Sequence, residues 1–144
     1  MTHPVVVAAR GWIGTPYLHQ ASMRGAGCDC LGLLRGVWRD VYGREPEPVP
    51  AYTQDWSEPQ GAEVLLGAAR RHLREKLLSD AVAGDVILFR MRGGMVAKHL
   101  GIVAGVGPTA TFIHSYSGHG VVESALTTAW HRRIAACFAF IEGA

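Results

Sequence analysis

The hydrophobic period changes once along this chain, near Gly84, and that change limits the folds open to it. Before it, apolar residues recur at three- and four-residue spacing, the mark of helices with one buried face. A first helix is expected after a Thr2 or His3 cap, with Pro4 in its first turn, Val5, Ala8, Ala9 and Trp12 inward, and Gly14 as its end. A second runs from Asp29, with Leu31, Leu34, Trp38 and Val41 as its stripe and Gly43 as its stop. A third is expected over about residues 58–77, opened by the capping-box-like Ser57-Glu58-Pro59-Gln60. Its inward residues are Val64, Leu65, Ala68, Ala69, Leu73 and Leu77, and Arg70, Arg71, Arg74 and Lys76 form a solvated face. Residues 18–27 and the proline-bearing 44–56 read as loops.

Beyond Gly84 the pattern is that of strands: residues 85–90, 99–104, 110–115, 121–123 and 133–140, with a hairpin connection at Arg92-Gly93-Gly94 and a tight turn at Ser117-Gly118-His119-Gly120. Helices first and an antiparallel sheet of about five strands after them is the α+β signature. The 144 residues fit one domain, residues 1–144, without repeats or linkers.

The chemistry gathers around Gly25-Ala26-Gly27-Cys28-Asp29-Cys30-Leu31-Gly32. It would place Cys30 in the first turn of a buried helix, where backbone N–H groups and the helix dipole ease loss of the thiol proton. A cysteine nucleophile needs a base, and the base needs an orienting group. His99 and His114 fall on neighbouring strands and can share one face, toward which the Cys30 helix could pack. A neutral His114 accepting the N–H of His99 would fix the tautomer of His99 and leave its other nitrogen for the thiol proton. Cys28 precedes the helix and has no assigned role, Cys137 reads as core, and His19, His72, His119 and His131 default to the surface.

The blocks Thr15-Pro16-Tyr17, Asp29-Cys30-Leu31-Gly32, Gly84-Asp85-Val86, His99-Leu100-Gly101-Ile102 and Phe112-Ile113-His114 resemble, in order and spacing, the NlpC-type papain-like cell-wall cysteine peptidases. The flanking Trp12-Ile13-Gly14, Gly36-Val37-Trp38-Arg39 and Trp130-His131-Arg132-Arg133-Ile134 are closest to the branch found in tails of phages and gene transfer agents. The resemblance implies a papain-like α+β domain without cofactor or metal. It makes Cys30 the nucleophile, His99 the base, His114 its orienter, and Tyr17 and Asp29 substrate-binding residues. The implied reaction is cleavage of peptidoglycan stem peptides between D-glutamate and a diamino acid. Tail or baseplate proteins are the implied partners. Leu31 departs from the serine often found after the cysteine.

Composition fits that reading without demanding it. A net charge of +2 is too small to argue for nucleic acid. Three cysteines with C-x-C spacing argue against a disulfide framework. No apolar run reaches membrane-spanning length and the N-terminus lacks a basic leader, so synthesis in the cytoplasm and delivery to the wall within a tail particle are expected. The residues alone leave other readings open: an inert buried Cys30, an Asp29 that only caps, a Tyr17 in the core, and structural histidines. A zinc site of Cys28, Cys30, His99 and His114 and a thiol amidase or acyltransferase also remain.

Overall fold

A computed structural model describes residues 3–46, 52, 63–91 and 95–141. The expected Thr2 cap, the capping box and helix start at 57–60, the hairpin connection at 92–94 and most of the proline-bearing loop lie outside them.

Helix α1 (Pro4–Arg10) is capped by His3, whose Nδ1 accepts the Val5 N–H at 3.1 Å. It ends earlier than Gly14 implied, because residues 11–14 unwind into a turn that Gly14 closes at φ 93°. Val5, Val6, Ala9 and Trp12 are buried. The expected loop at 18–27 holds a two-stranded ribbon, β1 (Ser22–Met23) against β2 (Gly27–Cys28). Two-residue strands are too short to show a period.

Helix α2 (Cys30–Tyr42) begins at the Asp29 cap and stops at Gly43, φ 86°. Its buried set is wider than a single stripe. Leu34 and Trp38 pack with Val86, Leu88, Leu100 and Phe138 of the sheet, while Leu33 and Val37 pack with Val5, Ala9 and Trp12 of the first helical segment. Leu31 and Val41 are only half-buried. Gly36 permits the α1–α2 contact, since a Cβ there would lie 2.0 Å from the Trp12 ring. The Trp12 indole N–H donates to Asp40 at 3.0 Å and fixes that approach.

Helix α3 (Val64–His72) buries Leu65, Leu66 and Ala69 but stops well short of residue 77. Arg74–Lys76 instead form an edge strand, β3, followed by a 3₁₀ turn at Leu78–Asp80. Leu77 is therefore exposed, and Val64, the first residue of α3, is exposed as well, contrary to the expectation that both face inward. Lys76 is not on a solvated face either, because its Nζ meets Asp85 at 2.8 Å with both side chains largely buried. Strands β4 (Val86–Arg90), β5 (Ala97–Gly105), β6 (Thr111–Tyr116), β7 (Gly120–Ala125) and β8 (Ile134–Ala139) follow, with a short helix α4 (Thr128–His131) between the last two.

Among the described residues the sheet has six strands in the order β3-β8-β4-β5-β6-β7, every pair antiparallel. The sixth strand is the one read as helix. A three-residue charged edge strand carries neither the β-branched content nor the alternation that marks a strand in sequence. Val86, Leu88, Leu100, Ile102, Ile113 and Val121 face the helices. Ile87, Phe89, Val103, Phe112 and Cys137 form a second core with Leu126 and Trp130. None of the helices among the described residues is long and apolar enough to cross a membrane.

Candidate active site

The segment bearing Tyr17 has little secondary structure of its own and is held from three sides. Val121 N–H donates to the Thr15 carbonyl at 2.9 Å, Cys28 N–H to the Pro16 carbonyl at 3.0 Å, and Leu18 N–H to the Cys28 carbonyl at 3.1 Å. The buried Ser115 hydroxyl donates to that same Cys28 carbonyl at 2.7 Å. Cys28 thus serves through its backbone. Its side chain is in the core, where burial pushes the thiol up to about 11.

Asp29 is 2% exposed and both carboxylate oxygens are occupied. Oδ1 accepts the Gly32 N–H at 2.7 Å, the cap of α2. Oδ2 accepts the Gln20 N–H at 2.7 Å and the Tyr52 hydroxyl. His19 Nδ1 stands 3.6 Å from the same oxygen, and its Nε2 lies 3.0 Å from the Tyr52 carbonyl oxygen. Gln20 is the one non-glycine residue with positive φ among the described residues, at 65°, strain that its bond to Asp29 helps to hold. The glycine of Asp-Cys-x-Gly has a steric reason: a Cβ on Gly32 would sit 1.8 Å from the Ala21 carbonyl oxygen. The strand-like segment before the cysteine must cross that closely to bring Gln20 to Asp29.

Cys30 opens α2 and is 6% exposed. Burial, and then the Asp29 carboxylate, push its thiol up to about 12, while hydrogen bonds from the backbones of Leu100, Leu31 and Cys30 itself pull the other way. The expectation of a lowered thiol is therefore reversed in the resting protein. The contact with the Leu100 backbone brings the sulfur to β5 at the residue after His99.

His99 on β5 and His114 on β6 are both buried, and His99 Nε2 lies 2.8 Å from His114 Nδ1. Their rings do not project beneath α2. They join Phe89, Phe112, Tyr116 and Trp130, with Phe112 4.2 Å and Trp130 5.3 Å from the His114 ring centroid. Gly101 makes room for this, since a Cβ there would meet the Phe112 ring at 2.7 Å and the His114 Cβ at 3.3 Å. Burial, and then His114, hold His99 down to about 3; burial, and then His119, hold His114 down to about 4. At neutral pH both imidazoles are uncharged.

One cleft is lined by Tyr17, Asp29, Cys30, His99, the end of β6 at Ser115 and Tyr116, and Ser117 after it, together with His19, Tyr52, Met91 and Lys98. Four of the five sequence-derived site residues thus line one opening, and the fifth, His114, stands behind His99. Tyr17 is also partly buried, and burial, then Cys30, then Asp29 push its hydroxyl up to about 12. Sequence reasoning missed His19 and Tyr52: one was assigned to the surface and the other lies in a stretch without period. Among the described residues no group of three or more His, Cys, Asp or Glu is placed to hold a metal ion. Chemically, the cleft offers a thiol, an imidazole whose Nε2 is engaged by His114, and backbone N–H groups at a helix start.

Comparison with known proteins gives a consistent picture. Residues 14–138 match the NlpC/P60 family. The NlpC/p60 domain of the peptidoglycan hydrolase SagA is similar at 25% identity and TM-score 0.65, over 95% of this chain and 97% of that domain. An NLP/P60-family, lipoprotein-like protein of Staphylococcus aureus is similar at 20% identity and TM-score 0.62, over 96% of this chain and 41% of the other. An NlpC/P60 family protein of Bacillus cereus matches at 19% identity and TM-score 0.65, over 97% and 41%. The chain thus spans about two fifths of the length of those two proteins and nearly all of the SagA domain. No curated protein matches significantly.

Proposed function

The chain belongs to the NlpC/P60 family, and from that premise we propose that it is a cysteine peptidase hydrolysing peptidoglycan stem peptides. The observation that carries the reading is the imidazole pair, His99 Nε2 to His114 Nδ1 at 2.8 Å, with His99 in the same cleft as Cys30. On this assignment His99 is neutral, with Nε2–H donated to His114 and Nδ1 free to accept. Cys30 sulfur attacks the scissile amide carbonyl as its proton passes to His99 Nδ1. The oxyanion is met by backbone N–H at the start of α2. His99 then gives the proton to the departing amine, leaving an acyl thioester that water hydrolyses by the same route.

Tyr17 borders the sulfur and would hold the substrate or the oxyanion. Asp29 would supply the negative end of the cleft for a free stem-peptide amine, which favours the bond between D-glutamate and the diamino acid. That role is additional to its cap. Residues 1–144 act in this proposal as one peptidase domain. The flanking segments around Trp12, Trp38 and Trp130 further suggest a protein that reaches the wall with a phage-like tail, binding tail or baseplate proteins.

The test is digestion of purified sacculi and of defined stem peptides, with the products identified by mass. Release by the wild type, none by Cys30→Ala and continued release by Cys28→Ala are expected. Equal loss in both variants would overturn the assignment of Cys30 as the sole nucleophile. Cleavage elsewhere than between D-glutamate and the diamino acid would overturn the assignment of the bond.

A further inference from the structure

The histidine pair does not end at His114. His114 Nε2 lies 2.9 Å from the Ser124 hydroxyl oxygen on β7. The register explains the contact: His114 is directly opposite Val122, so Ser124 is its diagonal neighbour on the same face. We propose that Ser124 is a positioning residue, the acceptor that terminates a chain Cys30–His99–His114–Ser124 and holds His114 in its Nε2–H tautomer. The proposal rests on the peptidase reading for its consequence in catalysis, but not for its geometry.

The direction of the chain follows from the chemistry at its other end. If His99 is to take the thiol proton at Nδ1, its own proton must be on Nε2, pointing at His114. His114 Nδ1 must then be a lone pair, so the single proton of a neutral His114 is on Nε2. That N–H needs an acceptor within a cluster made largely of rings, and Ser124 Oγ is placed to be one. The neighbouring carboxylate cannot serve. Glu123 pairs with Ile113 on the opposite face of the strand, and its oxygens are taken by Arg10 at 3.0 Å and 3.2 Å and by Thr111 at 2.7 Å. Without the hydroxyl, His114 would gain by moving its proton to Nδ1. It would then donate to His99 Nε2 and leave His99 with its proton on the nitrogen meant to accept. The same direction is required when His99 is an imidazolium, so Ser124 is an acceptor throughout the cycle.

Two substitutions isolate the oxygen. Ser124→Val removes it and Ser124→Thr keeps it, and both leave a β-branched residue suited to the strand. For Ser124→Val, kcat on stem peptide should fall about three- to tenfold, the worth of one hydrogen bond, with KM unchanged. Ser124→Thr should retain wild-type kcat. Nitrogen-15 spectra of the free protein supply a readout that packing alone would not move. His114 should be protonated on Nε2 in the wild type and in Ser124→Thr, and should gain Nδ1–H population in Ser124→Val. Wild-type kcat in Ser124→Val, a kcat loss with the His114 tautomer unchanged, or His114 protonated on Nδ1 in the wild type would each overturn the proposal. A wild type that cleaves no peptidoglycan would sink the peptidase reading, and the spectra would still decide the chain.

Discussion

Replacing Asp29 by asparagine separates the hydrogen bonds of this carboxylate from its charge, because losing the bonds destabilises the fold while losing the charge eases ionisation of the thiol. Asparagine can keep the cap, with its carbonyl oxygen accepting the Gly32 N–H. Its amide nitrogen then faces the Gln20 N–H and the Tyr52 hydroxyl, both of which donate to Oδ2 now. At the Gln20 N–H, donor would meet donor in a site that is 2% exposed, and the Tyr52 hydroxyl would have to turn to accept. Losing the charge-assisted bonds and opposing the Gln20 N–H with a donor costs about 2–4 kcal/mol in total. For a domain of this size about 3 °C of Tm corresponds to each kcal/mol, so a fall of about 6–12 °C is expected. The Cys30 thiol should move the other way, becoming easier to ionise, because the Asp29 charge is one of the two causes that raise it. Thermal unfolding and the pH dependence of iodoacetamide alkylation at Cys30 check the two halves on one variant. An unchanged Tm, or a thiol that becomes harder to ionise, would refute the reasoning.

The histidine pair makes stability depend on pH with a definite sign. Both folded-state values lie below the ordinary histidine value of 6.5, so the unfolded chain binds protons first as pH falls. The stabilisation is complete above about pH 6.5 and is lost as pH falls toward 4 and then 3, at up to about 1.4 kcal/mol per pH unit for each histidine. Urea unfolding between pH 6.5 and 5, above most carboxylate titration, should show this slope, and His114→Gln should remove about half of it; a flat wild-type profile would contradict it. In the wild type, alkylation of Cys30 should be slow at pH 7 and still be rising above pH 9, since its thiol is held up near 12. Fast alkylation independent of pH between 5 and 8 would instead mark a resting thiolate–imidazolium pair.

The helices and most of the sheet were readable because their residues show helical spacing or short continuous apolar runs. Leu34 and Trp38 mark α2, and Val86-Ile87-Leu88-Phe89 is an apolar run buried on both faces of β4. What escaped were pieces too short for a period: the ribbon at 22–28, the charged β3 and the four-residue α4. At the site, the positions of Asp29, Cys30, His99 and His114 were legible as a spaced pattern, but their surroundings were not. Tyr52 reaches Asp29 from a stretch that carries proline and no repeat, and His19 reaches it through a strained turn at Gln20. Neither has a local signature, because each is placed by contacts made elsewhere in the chain. Ser124 is similar: its link to His114 depends on strand register, which a sequence pattern constrains only through the turns that set it.

The thiol shows why position on a helix is a weaker guide than burial. A helix N-terminus favours a thiolate by at most about 2 kcal/mol even in a good, partly buried geometry. A rise from 9.0 to about 12 corresponds to about 4 kcal/mol against it. Burial and Asp29 therefore win, and the same burial keeps His99 uncharged. Cys30 and His99 thus both rest neutral. On the proposed assignment, charge separates only when an amide carbonyl is present to receive the negative end beside the backbone N–H groups at the start of α2. The N–H groups of that helix start already lie at the sulfur, and they gain most where charge has developed beside them, in the transition state.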